Sequence, residues 1–150
     1  MSDALVIDAV RKTITVDCVV EEAFRVFTTD AVRWWPLDSH SINGDKVKEI
    51  VFEEREGGEV YELTADGTKG HWASVLEFEP PNRIVLAWNI LEREPSPTEV
   101  EVRFTPEGDT TRVDLEHRGW EAVAEDRETK RADYDTGWSH VLGFYERRLG

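Results

Sequence analysis

Cysteine is almost absent from this sequence, in which Cys18 is the only one among 150 residues. A single thiol cannot form an intramolecular disulfide, which argues against the small disulfide-rich secreted folds. The sequence also lacks an apolar run of about 18 residues, which a membrane-spanning helix needs, and it lacks the apolar core of a signal peptide. We therefore expect a cytoplasmic protein.

Basic residues are scarce relative to acidic ones. Eighteen Lys and Arg stand against 32 Asp and Glu, which gives a formal net charge of −14. This charge repels phosphate backbones and anionic lipid headgroups within the Debye length, about 8 Å at physiological salt. Nucleic acid and membrane surfaces are therefore not expected as partners.

The motifs of the common catalytic sites are also missing. The sequence has no GxGxxG, P-loop, HExxH, CxxC or GxSxG, so nucleotide-dependent, metalloprotease, redox and serine-hydrolase activities lack their usual signatures. The histidines His40, His71, His117 and His140 show no metal-ligand spacing such as H-x₃-H. We expect no cofactor and no metal site, and the missing motifs favour a binding protein over an enzyme.

What the sequence does contain is the composition of a globular protein. Hydrophobic residues make up 39% of the chain, with six Trp and six Phe, and charged residues make up 33%. No repeat, low-complexity tract or linker rich in Pro or Gly divides it. We predict one domain over residues 1–150, since a chain of this length buries about 68–70% of the surface that it exposes when unfolded.

Hydrophobic periodicity gives the order of the elements. Residues 5–16 are rich in β-branched side chains and predict a strand, and VVEEAFRVFTTD then places Val20, Phe24 and Phe27 on one helical face. Six further strands are predicted over residues 47–55, 58–67, 70–80, 83–91, 98–108 and 110–119. The short turns between them favour an antiparallel meander.

Alternation along the last two strands indicates that one face of the sheet is buried. The apolar set is Val100, Val102, Phe104, Val113 and Leu115, and His117 shares its parity. The opposite set is charged, and we predict that the convex face is solvated and carries Glu101, Arg103, Asp114 and Glu116.

The C-terminal segment supplies the cover for the buried face. Its apolar residues follow helical spacing: Tyr134, Trp138, Val141, Leu142, Tyr145 and Leu149. The predicted fold is therefore α+β, with a curved antiparallel sheet of about seven strands wrapped around a long C-terminal helix and short helices after the first strand. Such a sheet leaves space beside the helix, which either holds a ligand or is filled by aromatic rings.

The element order and several sequence stretches resemble the START-like superfamily, also called SRPBCC or Bet v 1-like, whose architecture is the helix grip. The stretches are ITVDCVVEEAFRVFT, RWWP, DGTKGHWASVLEFEPPNRIVLAWNI, TEVEVRFTPEGDTTRVDLEHRGW and GWSHVL. Within the superfamily the chain is most similar to the AHSA1-like branch, related to the activator of the Hsp90 ATPase. The combination of EFEPPNRIVLAW with a later GW is the most specific part of the resemblance.

The resemblance implies three classes of function. The first is binding of a hydrophobic or amphipathic small molecule between the sheet and the last helix, which we take as the leading hypothesis. The second is a cyclase, dehydratase or hydrolase-like reaction on a polyketide-type or aromatic substrate, with His117 and Tyr61 moving protons. The third is contact with a chaperone such as Hsp90, although full-length activators use an additional N-terminal domain. Monomer and homodimer both remain open.

The predicted ligand cavity is lined by inward-facing aromatic residues and one histidine, namely Trp35, Tyr61, Trp72, Trp88, Phe104, His117 and Trp138. A buried imidazole needs a hydrogen-bond partner, so His117 is either a bonded core histidine or a ligand contact. Glu62 and Glu77 are candidates for inward-facing carboxylates, but a solvated strand face is the expected position of both. The parity of Tyr61 and Trp72 is left open.

Trp34 and Trp35 form an adjacent pair before Pro36. Neighbours on a helix point about 100° apart, so both indoles cannot face one narrow stripe. Either one indole continues the core while the other overhangs the cavity mouth, or both close the open end of the sheet.

Overall fold

The computed structural model describes residues 7–150. The chain runs through β1 (Val10–Val16), α1 (Val20–Thr28), β2 (Val47–Phe52), β3 (Glu59–Thr64), β4 (Lys69–Glu79), β5 (Arg83–Trp88), β6 (Thr98–Glu107), β7 (Thr110–Arg118) and α2 (Arg127–Arg148). Short 3₁₀ turns lie at Ala31–Arg33, Gly44–Lys46, Ile90–Glu92 and Trp120–Ala122. The predicted helix-grip α+β fold is confirmed.

All the strands form one sheet with the order β1-β7-β6-β5-β4-β3-β2. Every neighbouring pair is antiparallel, and each pair from β2 to β7 is joined by a short connection. Strand β1 begins at Val10, later than predicted, and residues 5 and 6 lie outside the described range. Helix α2 begins at Arg127, earlier than the apolar spacing indicated. Within residues 7–150, no helix is both long and apolar enough to cross a membrane.

Aromatic rings join the two helices to the sheet at one end of the core. Phe24 and Phe27 of α1 pack edge-on against Phe104 of β6, with ring centroids 5.2 and 5.7 Å apart. Tyr145 of α2 packs on Phe27 at 5.2 Å and donates its hydroxyl hydrogen to the Ala23 carbonyl at 2.6 Å. The helices are therefore held to each other as well as to the sheet.

His117 lies in the core, fully buried, on the face that its strand parity predicted. The Trp138 indole N–H donates to His117 Nδ1 at 3.0 Å, so Nδ1 carries no proton. Nε2 then carries the hydrogen and donates to Thr98 Oγ1 at 2.7 Å, and Thr98 donates to the Trp88 carbonyl at 3.3 Å. This series of hydrogen bonds matches the interpretation of His117 as a bonded core histidine. Burial lowers the pKa of His117 to about 3.

The outer face of the sheet is charged, as predicted, but Glu101 is not solvated. Its side chain is only 8% exposed, whereas Arg103 is well exposed. Arg83 and Arg103 reach one carboxylate oxygen at 2.7 Å and Arg118 reaches the other at 2.6 Å. Burial alone would raise the pKa of Glu101, but these arginines outweigh it and hold that pKa at about 2. Strand alternation identified the face correctly, and the arginine side chains then cover the carboxylate.

We predict that His117 makes the protein less stable in mild acid. Its folded pKa lies below the ordinary value of 6.5, so the unfolded chain binds a proton that the folded chain excludes as the pH falls from 6.5 towards 3. The free energy of unfolding should drop by about 2 kcal/mol between pH 7 and pH 5 from this group alone. Urea unfolding of wild type and His117→Gln at both pH values measures the difference. Equal pH dependence in the two proteins would contradict the prediction.

We also predict that Trp138→Ala lowers the free energy of unfolding by about 3–5 kcal/mol, the usual range for a buried aromatic ring. Trp138 is 4% exposed and its loss would also leave His117 Nδ1 without its donor. Leu76→Ala is the control, because Leu76 is 43% exposed and its loss should change stability by no more than about 0.5 kcal/mol. Similar midpoints of thermal unfolding for the two variants would show that Trp138 is not a core residue.

Candidate functional site

A cavity of about 360 Å³ lies between α2 and the sheet, at the end away from the Phe24 and Phe27 cluster. Its walls come from four places: strands β4 and β5, helix α2, the segment from Trp35 to Ile42, and the connection between β5 and β6. The lining residues are Trp35, Ser39, His40, Ser41, Ile42, Trp72, Trp88, Ile90, Arg93, Tyr134, Trp138 and Val141. The cavity is therefore mainly apolar, and apart from Tyr134 on α2 its polar side chains lie on loops.

Four indoles that line this cavity pack against one another in a closed circuit, which we call the tryptophan box: Trp35, Trp72, Trp88 and Trp138. Successive ring centroids around the circuit are 4.9, 6.1, 5.5 and 6.0 Å apart, and neighbouring rings are tilted or edge-on to each other. Such distances are those of attractive aromatic pairs. The box therefore presents ring surfaces in several orientations to the cavity.

Each indole N–H of the box is bonded within the protein. Trp35 donates to the His40 carbonyl at 2.7 Å, Trp72 to the Glu62 carboxylate at 2.8 Å, Trp88 to the Tyr134 hydroxyl at 3.0 Å and Trp138 to His117. These bonds fix the ring orientations and use up the polar atoms. A molecule in the cavity consequently meets the carbon surface of the rings.

The two adjacent tryptophans have different environments. Trp34 is buried, donates to the Val26 carbonyl at 2.7 Å and packs on Tyr145 at 5.0 Å. Trp35 turns the other way and joins the tryptophan box. This arrangement matches the first of the two interpretations, in which one indole continues the core and the other lies at the cavity.

We call residues 39–43, which form the rim loop, together with Arg93 the rim of the cavity. His40 and Arg93 are ionisable groups of this rim. His40 Nδ1 lies within hydrogen-bonding distance of Ser39 Oγ, at 2.7 Å. The His40 ring also stacks on the ring of His140, with centroids 4.8 Å apart. Burial, followed by the charge of His140, lowers the pKa of His40, so its imidazole is neutral at pH 7. Arg93 lines the same cavity and has no ion pair to a carboxylate of residues 7–150.

Tyr134 closes the cavity on the α2 side. Its hydroxyl accepts the Trp88 N–H, and its ring packs against His117 at 4.9 Å. Burial raises the pKa of Tyr134 more than the Trp88 hydrogen bond lowers it, so the phenol keeps its proton. This hydroxyl can therefore still donate one hydrogen bond.

Glu62 binds the rim loop through hydrogen bonds to Ile42 and Asn43. The expectation that Glu62 lies on a solvated strand face was wrong. Glu62 is fully buried, because it shares the inward parity of Val60 on β3. One carboxylate oxygen accepts from the Ile42 amide at 2.7 Å and from Trp72 Nε1 at 2.8 Å, and the other accepts from the Asn43 amide at 2.8 Å and Asn43 Nδ2 at 2.9 Å. Glu77, by contrast, lies on the outer face with Arg83, as expected.

Three of the predicted cavity residues do not line the cavity. Tyr61 has the outward parity on β3, and Lys69 lies over its ring at 4.3 Å. Phe104 faces inward but belongs to the cluster with Phe24 at the other end of the sheet. His117 lies behind the wall formed by Trp138 and Tyr134. The predicted Trp35, Trp72, Trp88 and Trp138 all line it.

The rim residues His40 and Arg93 were not predicted as cavity residues. His40 and Arg93 lie in irregular segments, which carry no periodicity from which a facing direction could be predicted. Tyr134 was recognised on the apolar stripe of α2, and its spacing of four residues from Trp138 was a usable signal for the cavity. Within the described chain, no group of three or more His, Cys, Asp or Glu side chains lies close enough together to hold a metal ion.

Comparison with known proteins extends this description. The family model for Activator of Hsp90 ATPase homolog 1-like protein matches residues 17–147. No curated protein matches the sequence significantly. Among solved structures, an anthrahydroquino-γ-pyrone synthase, Txn09, complexed with SUM, is 34% identical over 82% of this chain and 84% of that chain, with a TM-score of 0.59.

Two further solved structures cover nearly the whole chain. The self-sacrificing resistance protein CalC from Micromonospora echinospora is 26% identical over 95% of this chain and 94% of that chain, with a TM-score of 0.68. The Aha1 dimer from Colwellia psychrerythraea is 16% identical over 95% and 96%, with a TM-score of 0.67, and shows a common fold only. The family match spans most of the sequence and agrees with the observed fold, so the chain belongs to the family of AHSA1-like proteins within the START-like superfamily.

Proposed function

We propose that this protein binds a flat, multi-ring aromatic molecule of the polyketide type in the tryptophan box. The observation that carries the proposal is the circuit of four indoles whose N–H groups are all bonded within the protein. Walls of this kind favour a ligand that offers ring surface rather than hydrogen-bonding groups. The 34% identical relative is a synthase of an anthrahydroquino-γ-pyrone, a fused-ring compound, which supports the same ligand class.

Size and stacking energy are consistent with such a ligand. The cavity volume of about 360 Å³ lies at the lower end of the range of small-molecule sites, roughly 300–1,000 Å³. An aromatic contact contributes about 0.5–1.5 kcal/mol beyond the burial of its area, so several indole contacts supply a large part of a micromolar affinity. The ligand therefore needs few polar contacts.

Arg93 indicates that the ligand carries an acidic group at the cavity mouth. The net charge of −14 repels anions at long range, but charges beyond the Debye length of about 8 Å are largely screened at physiological salt. A guanidinium in direct contact with a carboxylate or phenolate is much less screened and can form paired hydrogen bonds. We therefore assign Arg93 to an anionic oxygen of the ligand.

We predict that wild type binds anthraquinone-2-carboxylate at least about tenfold more tightly than neutral 2-methylanthraquinone, because a hydrogen bond to a charged group contributes about 1.5–3 kcal/mol and each 1.4 kcal/mol is about tenfold in affinity. Arg93→Gln should abolish that preference while the neutral compound binds as before. Arg55→Gln is the control, because Arg55 is well exposed and does not line the cavity. Quenching of tryptophan fluorescence measures both affinities.

The two parts of the proposal fail separately in this experiment. If neither compound saturates the fluorescence change of wild type, the ligand class is wrong. If both compounds bind but Arg93→Gln and Arg55→Gln behave alike, the assignment of Arg93 is wrong. Contact with a chaperone, which family membership also allows, stays a prediction outside this proposal.

His40 favours a second candidate function, ring closure of the bound molecule. It lines the cavity and its lowered pKa leaves the imidazole ready to accept a proton at neutral pH. In an ortho-hydroxyaryl ynone, His40 would take the phenolic proton while the oxygen bonds to the β-carbon, and the proton would pass to the α-carbon. The product is a γ-pyrone isomeric with the substrate, so no cofactor is required.

We predict that His40→Phe retains binding of anthraquinone-2-carboxylate but slows closure of a 1-hydroxyanthraquinone ynone by about 10²-fold or more, the usual contribution of a general base. The wild-type rate should stay constant at neutral pH and fall in acid, because the pKa of His40 lies below its ordinary value of 6.5 and the imidazole gains its proton only below that pH. His71→Phe is the control, since His71 is bound to Glu59 and does not line the cavity. Equal rates for His40→Phe and wild type, measured by product absorbance, would leave binding as the function.

A further inference from the structure

Glu62 is a buried carboxylate of a particular kind, because all of its partners are neutral. Its four hydrogen bonds come from two backbone amides, one side-chain amide and one indole, and no cation of residues 7–150 forms an ion pair with it. Burying a carboxylate is costly unless hydrogen bonds replace the lost water. The position therefore depends on all four donors being held in place together.

The four donors belong to two parts of the site. Ile42 and Asn43 are in the loop that forms the rim, and Trp72 is a wall of the tryptophan box on β4. From these contacts we infer that Glu62 is a positioning residue: it holds the rim against the wall and thereby sets how slowly a bound ligand leaves. The inference rests on the proposed binding function for its ligand, but the rim contact itself exists without one.

The packing beside Glu62 supports a tight closure. A Cβ atom on Gly70 would lie 2.7 Å from Ile42 Cδ1 and 3.0 Å from Glu62 Cγ, so a larger residue cannot fit there without displacement. Strand β4 thus leaves room only for the Ile42 side chain and the Glu62 stem. The rim loop is seated on the sheet rather than extended over it.

Two other hydrogen bonds hold the rim loop independently of Glu62. Trp35 Nε1 holds the His40 carbonyl, and Ser41 Oγ donates to the Leu37 carbonyl at 2.6 Å. Neither bond involves Ile42 or Asn43. Removing the carboxylate should therefore release residues 42 and 43, while His40 stays attached and the sheet keeps its structure.

Glu62→Gln is a sharp test because it changes charge and donor pattern with almost no change in shape. Each carboxylate oxygen accepts two N–H groups. In either orientation the glutamine NH₂ therefore faces two donors and loses both bonds. Glu49→Gln is the matched control, since Glu49 is an exposed glutamate on the neighbouring strand β2.

The first measurement is amide hydrogen exchange without ligand. Glu62→Gln should exchange the amide of Ile42 or that of Asn43, whichever faces the glutamine NH₂, at least about tenfold faster than wild type, because that amide loses its acceptor. Amides in β5 to β7 should be unchanged, and Glu49→Gln should match wild type throughout. Faster exchange over the entire sheet would instead indicate general destabilisation and would overturn the inference.

The second measurement is the dissociation rate of anthraquinone-2-carboxylate by stopped-flow fluorescence. Glu62→Gln should release this probe about tenfold faster, with a smaller change in association rate, as most affinity differences of one site lie in dissociation. Faster rim exchange with an unchanged dissociation rate overturns the positioning role. If wild type binds no aromatic probe, the proposed function fails while exchange still decides whether Glu62 holds the rim.

Should Glu62→Gln not fold, Asn43→Ala removes one of the four bonds and should give about threefold effects in both measurements.

Discussion

Burial of an indole brings its N–H group out of water, and this donor must find an acceptor inside the protein. Around the cavity that requirement recurs for each tryptophan, and the acceptors are chemically different: a backbone carbonyl, a carboxylate, a phenol and an imidazole. Each acceptor is itself held by a different element. The tryptophan box is thus the point at which β3, β4, β5, β7, α2 and the rim loop are connected, and an error in any one of them would displace a wall.

Among residues 7–150, two carboxylates are buried by opposite means. Glu101 is surrounded by three arginines on the outer face, where water and other charges limit both the cost and the gain of the cluster. Glu62 has only neutral donors, so its stability depends on their geometry rather than on net charge. The first arrangement covers the sheet, whereas the second makes rim and wall depend on each other.

Period-two alternation was sufficient to predict the strands, the inward face and the burial of His117, because each of these depends only on parity. It could not place Phe104 in the right cluster, since parity gives the face of a sheet but not the position along a long cleft. It also failed for Tyr61 and Glu62, where both parities of β3 carry apolar residues and register shifts at Val60/Tyr61 interrupt the pairing with β4. The rim residues His40 and Arg93 follow no period, and only the folded loop brings them to the cavity.

In the proposed function, wall and rim carry separable parts of the activity. The walls are regular elements whose rings are fixed by buried hydrogen bonds, so they give affinity for ring systems in general. The rim is made of loop residues, in which a change of side chain costs little stability and can add or remove an acid, a base or a charge. Under the proposed function, binding alone would need the walls and Arg93, whereas ring closure would need His40 as well, with a neutral imidazole that burial and His140 together maintain. The same tryptophan box can consequently serve a binding protein or an enzyme, and the residue at the rim decides between them.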